Sequence, residues 1–131
     1  MPKYKLIEKA KKIRDQAYAP YSNFHVGAAL LANSGKIYTG CNIENAAFSN
    51  TCCAERVAIF KAISSGERNF TAIAVVADSP RPVPPCGSCR QVMSEFFSED
   101  THILLANLKG ESITFTMKDL LPFSFQDNDI Q

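Results

Sequence analysis

Histidine, glycine-rich sequence and one-sided charge are all scarce in this chain, and each shortage closes off a class of function. The two histidines, His25 and His102, are far apart and lie in strand-like patterns with no third ligand beside them. They read as structural residues rather than as a metal centre. The 14 Lys and Arg against 13 Asp and Glu leave a net charge of +1, which is no footprint for nucleic acid or an anionic membrane. The lysines of residues 3–12 are a solvated helix face. No run approaches the roughly 18 apolar residues of a membrane span. The charged, amphipathic start lacks the apolar core of a secretory signal, so a cytoplasmic protein is expected. Neither a glycine-rich loop nor clustered arginines is present to cradle a phosphate. Nothing repeats. Residues 1–131 read as one domain, with 126–131 as a disordered tail.

What the chain does have is thiol. Five cysteines, an odd number without a secretory signal, suit reduced metal ligands better than a disulfide framework. Cys86 and Cys89 form a C-x-x-C step whose side chains can face one point where a loop enters a helix. The free N–H groups of that helix start favour thiolate over thiol. Cys53 opens a second helical pattern (Val57, Ala58, Phe60, Lys61, Ile63) and offers a third sulfur. Three protein ligands and one open position are the arrangement of a catalytic zinc, so one Zn2+ per chain is expected. On spacing, Cys52 can stand in for Cys53. Cys41 ends a strand pattern and reads as a small buried hydrophobe.

Glu55 follows two residues after Cys53 and can approach the same metal only if Cys53 lies at the very start of its helix. Alone it would be an ordinary acid stabilising a helix N-terminus. Beside three metal-spaced cysteines it is the candidate general acid/base. Three thiolates leave zinc with a net charge of about −1 and weaken it as a Lewis acid. Arg56, three residues after Cys53, can offset that charge by donating to the ligand sulfurs.

The remaining pattern supplies a scaffold. Helical spacing of Ile7, Ala10, Ile13, Arg14 and Ala17 predicts a helix over 3–18, ended by Ala19-Pro20. Strands follow at 25–32 and 36–42 around an Asn33-Ser34-Gly35-Lys36 turn, then a loop over 43–51 and a helix over 52–65 stopped by Gly66. Residues 70–77 read as a central strand apolar on both faces. The proline-rich 78–85 delivers Cys86 to a helix over 87–98. Strands at 102–107 and 112–116 are too closely linked to be parallel, and 118–121 closes with a helical turn. The order αββαβαββ predicts an α/β fold with a mixed five-stranded sheet and helices on both faces. A right-handed crossover then sets the two cysteine-bearing helices side by side, at the carboxyl edge of the strands.

Cys53-Ala54-Glu55 followed by Pro85-Cys86-Gly87-Ser88-Cys89 resembles the zinc-dependent nucleoside and nucleobase deaminases. Asn23-Phe24-His25-Val26-Gly27-Ala28-Ala29, Asn42-Ile43-Glu44-Asn45-Ala46-Ala47-Phe48 and the Arg90-Gln91 extension narrow the likeness to the short, all-cysteine cytidine deaminases, over nearly the whole chain. The resemblance selects Cys53 over Cys52 and implies the three-layer cytidine-deaminase-like fold. It implies deamination of cytidine and 2′-deoxycytidine in pyrimidine salvage, a zinc-bound hydroxide attacking C4 while Glu55 shuttles protons. It implies that Asn42 and Glu44 hold the ribose hydroxyls and that Phe24 packs on the pyrimidine. Phe125 would cover the base from a neighbouring subunit of a homotetramer with shared active sites. Backbone N–H groups around Ala54 and Cys86 are available to the ring carbonyl. Phe48 departs from the pattern, since many relatives carry a tyrosine hydroxyl near the sugar there; its loss removes one hydrogen bond, about 0.5–1.5 kcal/mol.

Other readings make different demands. An aminocytosine-antibiotic deaminase fits poorly with an intact Asn42-x-Glu44-Asn45. A nucleic-acid-editing deaminase needs a basic groove. A structural zinc module needs a fourth ligand, which Cys52 or Cys41 would have to supply. A redox C-x-x-C protein needs a thioredoxin-like strand and helix around Cys86.

Overall fold

Central strands that are apolar on both faces must be covered on two sides, and that requirement dictates a sandwich of helix, sheet and helix. The computed structural model describes residues 2–130. Strands β1 (Val26–Ala32), β2 (Ile37–Cys41), β3 (Phe70–Ala77), β4 (His102–Asn107) and β5 (Ser112–Thr116) form one sheet in the order β2-β1-β3-β4-β5. β3 and β4 are parallel; β1 is antiparallel to both β2 and β3, and β5 to β4.

One face of the sheet (Ala29, Leu31, Ala72, Ala74, Val76, Leu104, Ala106) packs on Leu6 and Ala10 of α1 (Lys3–Ile13). The other face (Ala28, Leu30, Ile73, Val75, Ile103, Leu105) packs on α2 (Ala54–Ser64) through Ala58, Ile59 and Ala62. On the same face α3 (Gly87–Phe96) contributes Met93. The expected α/β architecture, with a mixed five-stranded sheet and helices on both faces, is the one observed.

Two glycines let the helices close onto this sheet. A Cβ on Gly27 would sit 1.9 Å from the Ala10 carbonyl oxygen in α1. A Cβ on Gly40 would sit 2.5 Å from Ala58 N and 2.6 Å from the Ala54 carbonyl oxygen, in the first turn of α2. The turn that carries Glu55 and Arg56 thus lies directly on β2.

The structure departs from the sequence pattern mainly at element ends. The first helix, expected over 3–18, is α-helical only to Ile13 and tightens to a 3-10 turn over Arg14–Gln16. Ala17 is already extended (ψ 137°), because Tyr18 leaves the helix to pair with the segment after β2. The Tyr18 N–H donates to the Asn42 carbonyl at 2.9 Å, and the Glu44 N–H to the Tyr18 carbonyl at 2.8 Å. The expected loop over 43–51 is likewise tied down. Ile43 and Cys52 exchange both backbone hydrogen bonds at 2.9 Å, and Phe48–Asn50 forms a 3-10 turn. α2 begins at Ala54 rather than at 52, and α3 stops at Phe96 rather than at 98. The final helical turn, α4, spans Met117–Leu120. In the segment expected as a tail, Asp127–Ile130 is an exposed 3-10 turn in which the Gln126 N–H donates to Asp129 Oδ2 at 2.7 Å; residue 131 lies outside the described residues.

Candidate active site

The two helix starts that face the carboxyl ends of the strands carry the thiols. Cys53 is the N-cap of α2 and Cys86 the N-cap of α3, both with extended backbone. Cys89 sits three residues into α3 and is fully buried. The sulfurs of Cys53, Cys86 and Cys89 all lie within 4.8 Å of one another. Cys52, the alternative on spacing, stands outside this group, as does Cys41. The N-cap position resolves the difficulty of Glu55: because Cys53 precedes the helix, its side chain and that of Glu55 reach the same cavity.

Backbone pairing registers the rest of the site on the thiols. Ile43 stands between Asn42 and Glu44 and is bonded on both edges to Cys52, the neighbour of Cys53. The irregular loop before Cys86 is anchored at its start by Asn107, whose Nδ2 donates to the Ser79 carbonyl at 3.2 Å and to Glu111 Oε1 at 2.9 Å. Arg90 anchors its end, with Nε donating to the Pro85 carbonyl at 2.8 Å and Nη1 to the Leu120 carbonyl at 2.9 Å.

Electrostatics follow from burial and from these contacts. Glu55 is 5% exposed, and burial pushes its carboxyl up to about 7. The neighbouring Cys89 thiol, and Arg56, whose Nη2 donates to the Cys53 sulfur at 3.4 Å, both draw Cys53 toward thiolate. Cys89, beside the Cys53 sulfur in a buried position, is pushed up. The same thiolate raises the Arg56 guanidinium further above its ordinary range. Among the described residues, Arg56 Nε is a buried donor with no partner, so the guanidinium faces the thiols with donor capacity to spare.

Beside the thiols lies a cavity of about 270 Å³. Of the residues expected at a substrate, Phe24, Asn42, Glu44, Ala54 and Glu55 line it. Asn42 is spoken for on two sides: Nδ2 donates to the Phe24 carbonyl at 2.8 Å and Oδ1 accepts from the Val26 N–H at 2.9 Å. Phe48 and Phe125 do not line this chain's cavity; the two residues are 87% and 59% exposed. Ser22, Val83 and Pro84 line it without having been singled out from sequence. The hydrogen-bonding pair Ser22-x-Phe24 was the one available signal for Ser22, since a serine two residues before an N–H commonly turns back on it.

The donor set fits zinc. Tetrahedral Zn–S bonds of about 2.3 Å place sulfurs roughly 3.8 Å apart, within the spread of these three. Fold and site together define the class: a zinc-dependent hydrolase whose thiol centre sits where two helix starts meet the edge of an α/β sheet. Residues 2–105 match the family described as the cytidine and deoxycytidylate deaminase zinc-binding region. A cytidine deaminase of Sporosarcina psychrophila is 57% identical over 126 residues, 96% of this chain and 93% of that protein. The crystal structure of cytidine deaminase from Burkholderia pseudomallei aligns with a TM-score of 0.93 at 49% identity, covering 95% of this chain and 100% of that one. A blasticidin-S deaminase of Bacillus cereus is 33% identical over 112 residues, 79% of each. The chain belongs to the cytidine deaminase family.

Proposed function

We propose that this protein deaminates cytidine and 2′-deoxycytidine to uridine and 2′-deoxyuridine with release of ammonia, as a step of pyrimidine salvage. One observation carries the reading: a buried carboxyl beside three convergent thiols, opening on a cavity that Phe24, Asn42 and Glu44 also line. One zinc per chain, held by Cys53, Cys86 and Cys89, would supply Lewis acidity toward an attacking water.

Glu55 does the proton work. A carboxyl poised near 7 is populated in both forms at neutral pH, so it can take a proton from the water and deliver it to the ring nitrogen, then serve the departing amine. Arg56 donates to the Cys53 sulfur and offsets the negative charge of the thiolates. Phe24 packs on the pyrimidine, and Asn42 and Glu44 take the sugar hydroxyls; the free N–H groups at the α2 and α3 starts, near Ala54 and Cys86, are donors for the ring carbonyl. Contacts to a sugar favour the nucleoside over the free base, which cannot supply them.

The chain acts as one domain and assembles as a homotetramer with shared sites. Phe48 and Phe125 are exposed and do not line their own chain's cavity, which supports a role against a neighbouring copy. Free thiols as ligands support a reducing, cytoplasmic setting. No helix among the described residues is long and apolar enough to cross a membrane.

Metal analysis followed by the fall of cytosine-ring absorbance on cytidine tests the reading. Glu55→Ala should keep zinc and lose turnover, Cys53→Ala should lose zinc, and Cys52→Ala should do neither. Zinc loss in Glu55→Ala would make the carboxylate a ligand and overturn its assignment.

A further inference from the structure

Two segments far apart in sequence contribute Glu44 and Phe24 to the cavity, and a single side chain bonds both. The Ser22 hydroxyl donates to Glu44 Oε2 and accepts from the Phe24 N–H at 3.0 Å. A hydroxyl has one proton and two lone pairs, so it can fill both roles at once. The other carboxylate oxygen, Oε1, accepts from the backbone N–H groups of Ser22 at 3.1 Å and Tyr21 at 2.9 Å.

The backbone between them is shaped for this. Asn23 has φ 57°, the left-handed region that asparagine tolerates better than most residues, and its N–H donates to the Ala19 carbonyl at 3.0 Å. The resulting turn brings Ser22 and Phe24 to the same cavity. Asn42 secures the far side of Phe24 through its carbonyl. The Phe24 backbone is thereby gripped at its N–H by Ser22 and at its carbonyl by Asn42.

We propose that Ser22 is a positioning residue for sugar recognition: its hydroxyl locks the Glu44 carboxylate and the Phe24 backbone into one geometry. The sugar-reading and ring-packing sides of the cavity are then set as a unit. This rests on the reading of Glu44 as a partner of the sugar hydroxyls. The Ser22 hydroxyl is also the main reason that Glu44 is held below the usual carboxylate range.

Steady-state kinetics on cytidine and on 2′,3′-dideoxycytidine, which lacks both ring hydroxyls, test it with Ser22→Ala, Ser22→Thr and Glu44→Gln. Ser22→Ala removes a hydrogen bond to a charged group, so the KM for cytidine should rise by roughly tenfold or more while kcat stays nearly constant. Asn42 still holds the Phe24 carbonyl, so the KM for the dideoxynucleoside should move much less. Ser22→Thr keeps the hydroxyl and should restore cytidine, and zinc content should be that of the parent in all three. An equal loss on both substrates, or a fall in kcat without a change in KM, overturns the proposal. Should Glu44→Gln discriminate between the substrates while Ser22→Ala behaves as the parent, Ser22 is misassigned and the reading of Glu44 stands. Should Glu44→Gln treat both substrates alike, that reading fails and takes the proposal with it.

Discussion

Gly40→Ala separates the packing of α2 from the chemistry it carries. The added Cβ would lie 2.5 Å from Ala58 N, 2.6 Å from the Ala54 carbonyl oxygen and 3.0 Å from Val57 Cβ. Two of these three atoms are backbone, so no rotamer change relieves them. Ordinary contact begins at 3.4 Å, and the first turn of α2 must withdraw by about 0.9 Å. Cys53 caps that turn and moves with it, whereas Cys86 and Cys89 belong to α3. Metal sites tolerate ligand displacements of only about 0.2 Å. Zinc affinity should therefore fall by roughly 10–100-fold, the usual cost of disturbing the support of a metal ligand. The metal-free protein should lose about 1–3 kcal/mol by overpacking, a Tm decrease of about 3–5 °C for each of them. The control is Gly27→Ala, whose Cβ meets the Ala10 carbonyl oxygen at 1.9 Å and Arg14 N at 2.9 Å, both in the layer on the opposite face. It should destabilise at least as much yet leave zinc affinity of the folded protein unchanged. Calorimetry of metal-free protein and zinc competition against a chromophoric chelator read the two effects. If Gly40→Ala binds zinc as tightly as the parent, or Gly27→Ala loses it equally, the contact between β2 and α2 does not place Cys53.

Three further outcomes follow from other contacts. Asn107 is buried, and its Oδ1 also accepts from the Lys109 and Glu111 N–H groups at 3.0 Å; Asn107→Ala orphans several groups and should cost about 2–3 kcal/mol in denaturant unfolding, with KM rising as the Val83 and Pro84 wall loosens. Thr116→Ala removes one arm of the α4 cap, in which Asp119 Oδ2 accepts from both the Thr116 N–H and hydroxyl at 3.0 Å; Tm should fall while zinc binding is untouched. Those same bonds hold Asp119 below its ordinary range, so its stabilisation is present above the normal carboxylate range and lost as pH falls through the lowered value; the Tm difference between the parent and Asp119→Asn should shrink on acidification.

Much of the scaffold could be read from local pattern. β3 and β4 fall where the apolar runs put them, and Gly66, with φ 98°, ends α2 as its position suggested. The C-x-x-C step and the helical pattern after Cys53 announced two helix starts because capping is a local event, decided by a few neighbouring backbone groups. The first helix was overextended because its spacing continues through Ala17. Nothing local reveals that Tyr18 does better as the partner of Ile43. Ser22, Val83 and Pro84 escaped notice for the same reason: a cavity wall has no periodicity.

Composition and spacing by themselves determined the inventory: three thiols able to act as ligands, a carboxyl beside one of them, a near-neutral chain and strands apolar on both faces. Those properties reside in residue types and short separations along the chain. Spacing left the pair 52 and 53 open, and the convergence of sulfurs bears out the Cys53 that the family likeness implied. How deeply Glu55 is buried, and that Ser22 spans Glu44 and Phe24, were decided only by tertiary structure. Each depends on how segments remote in sequence approach one another, as α2 approaches β2 at Gly40.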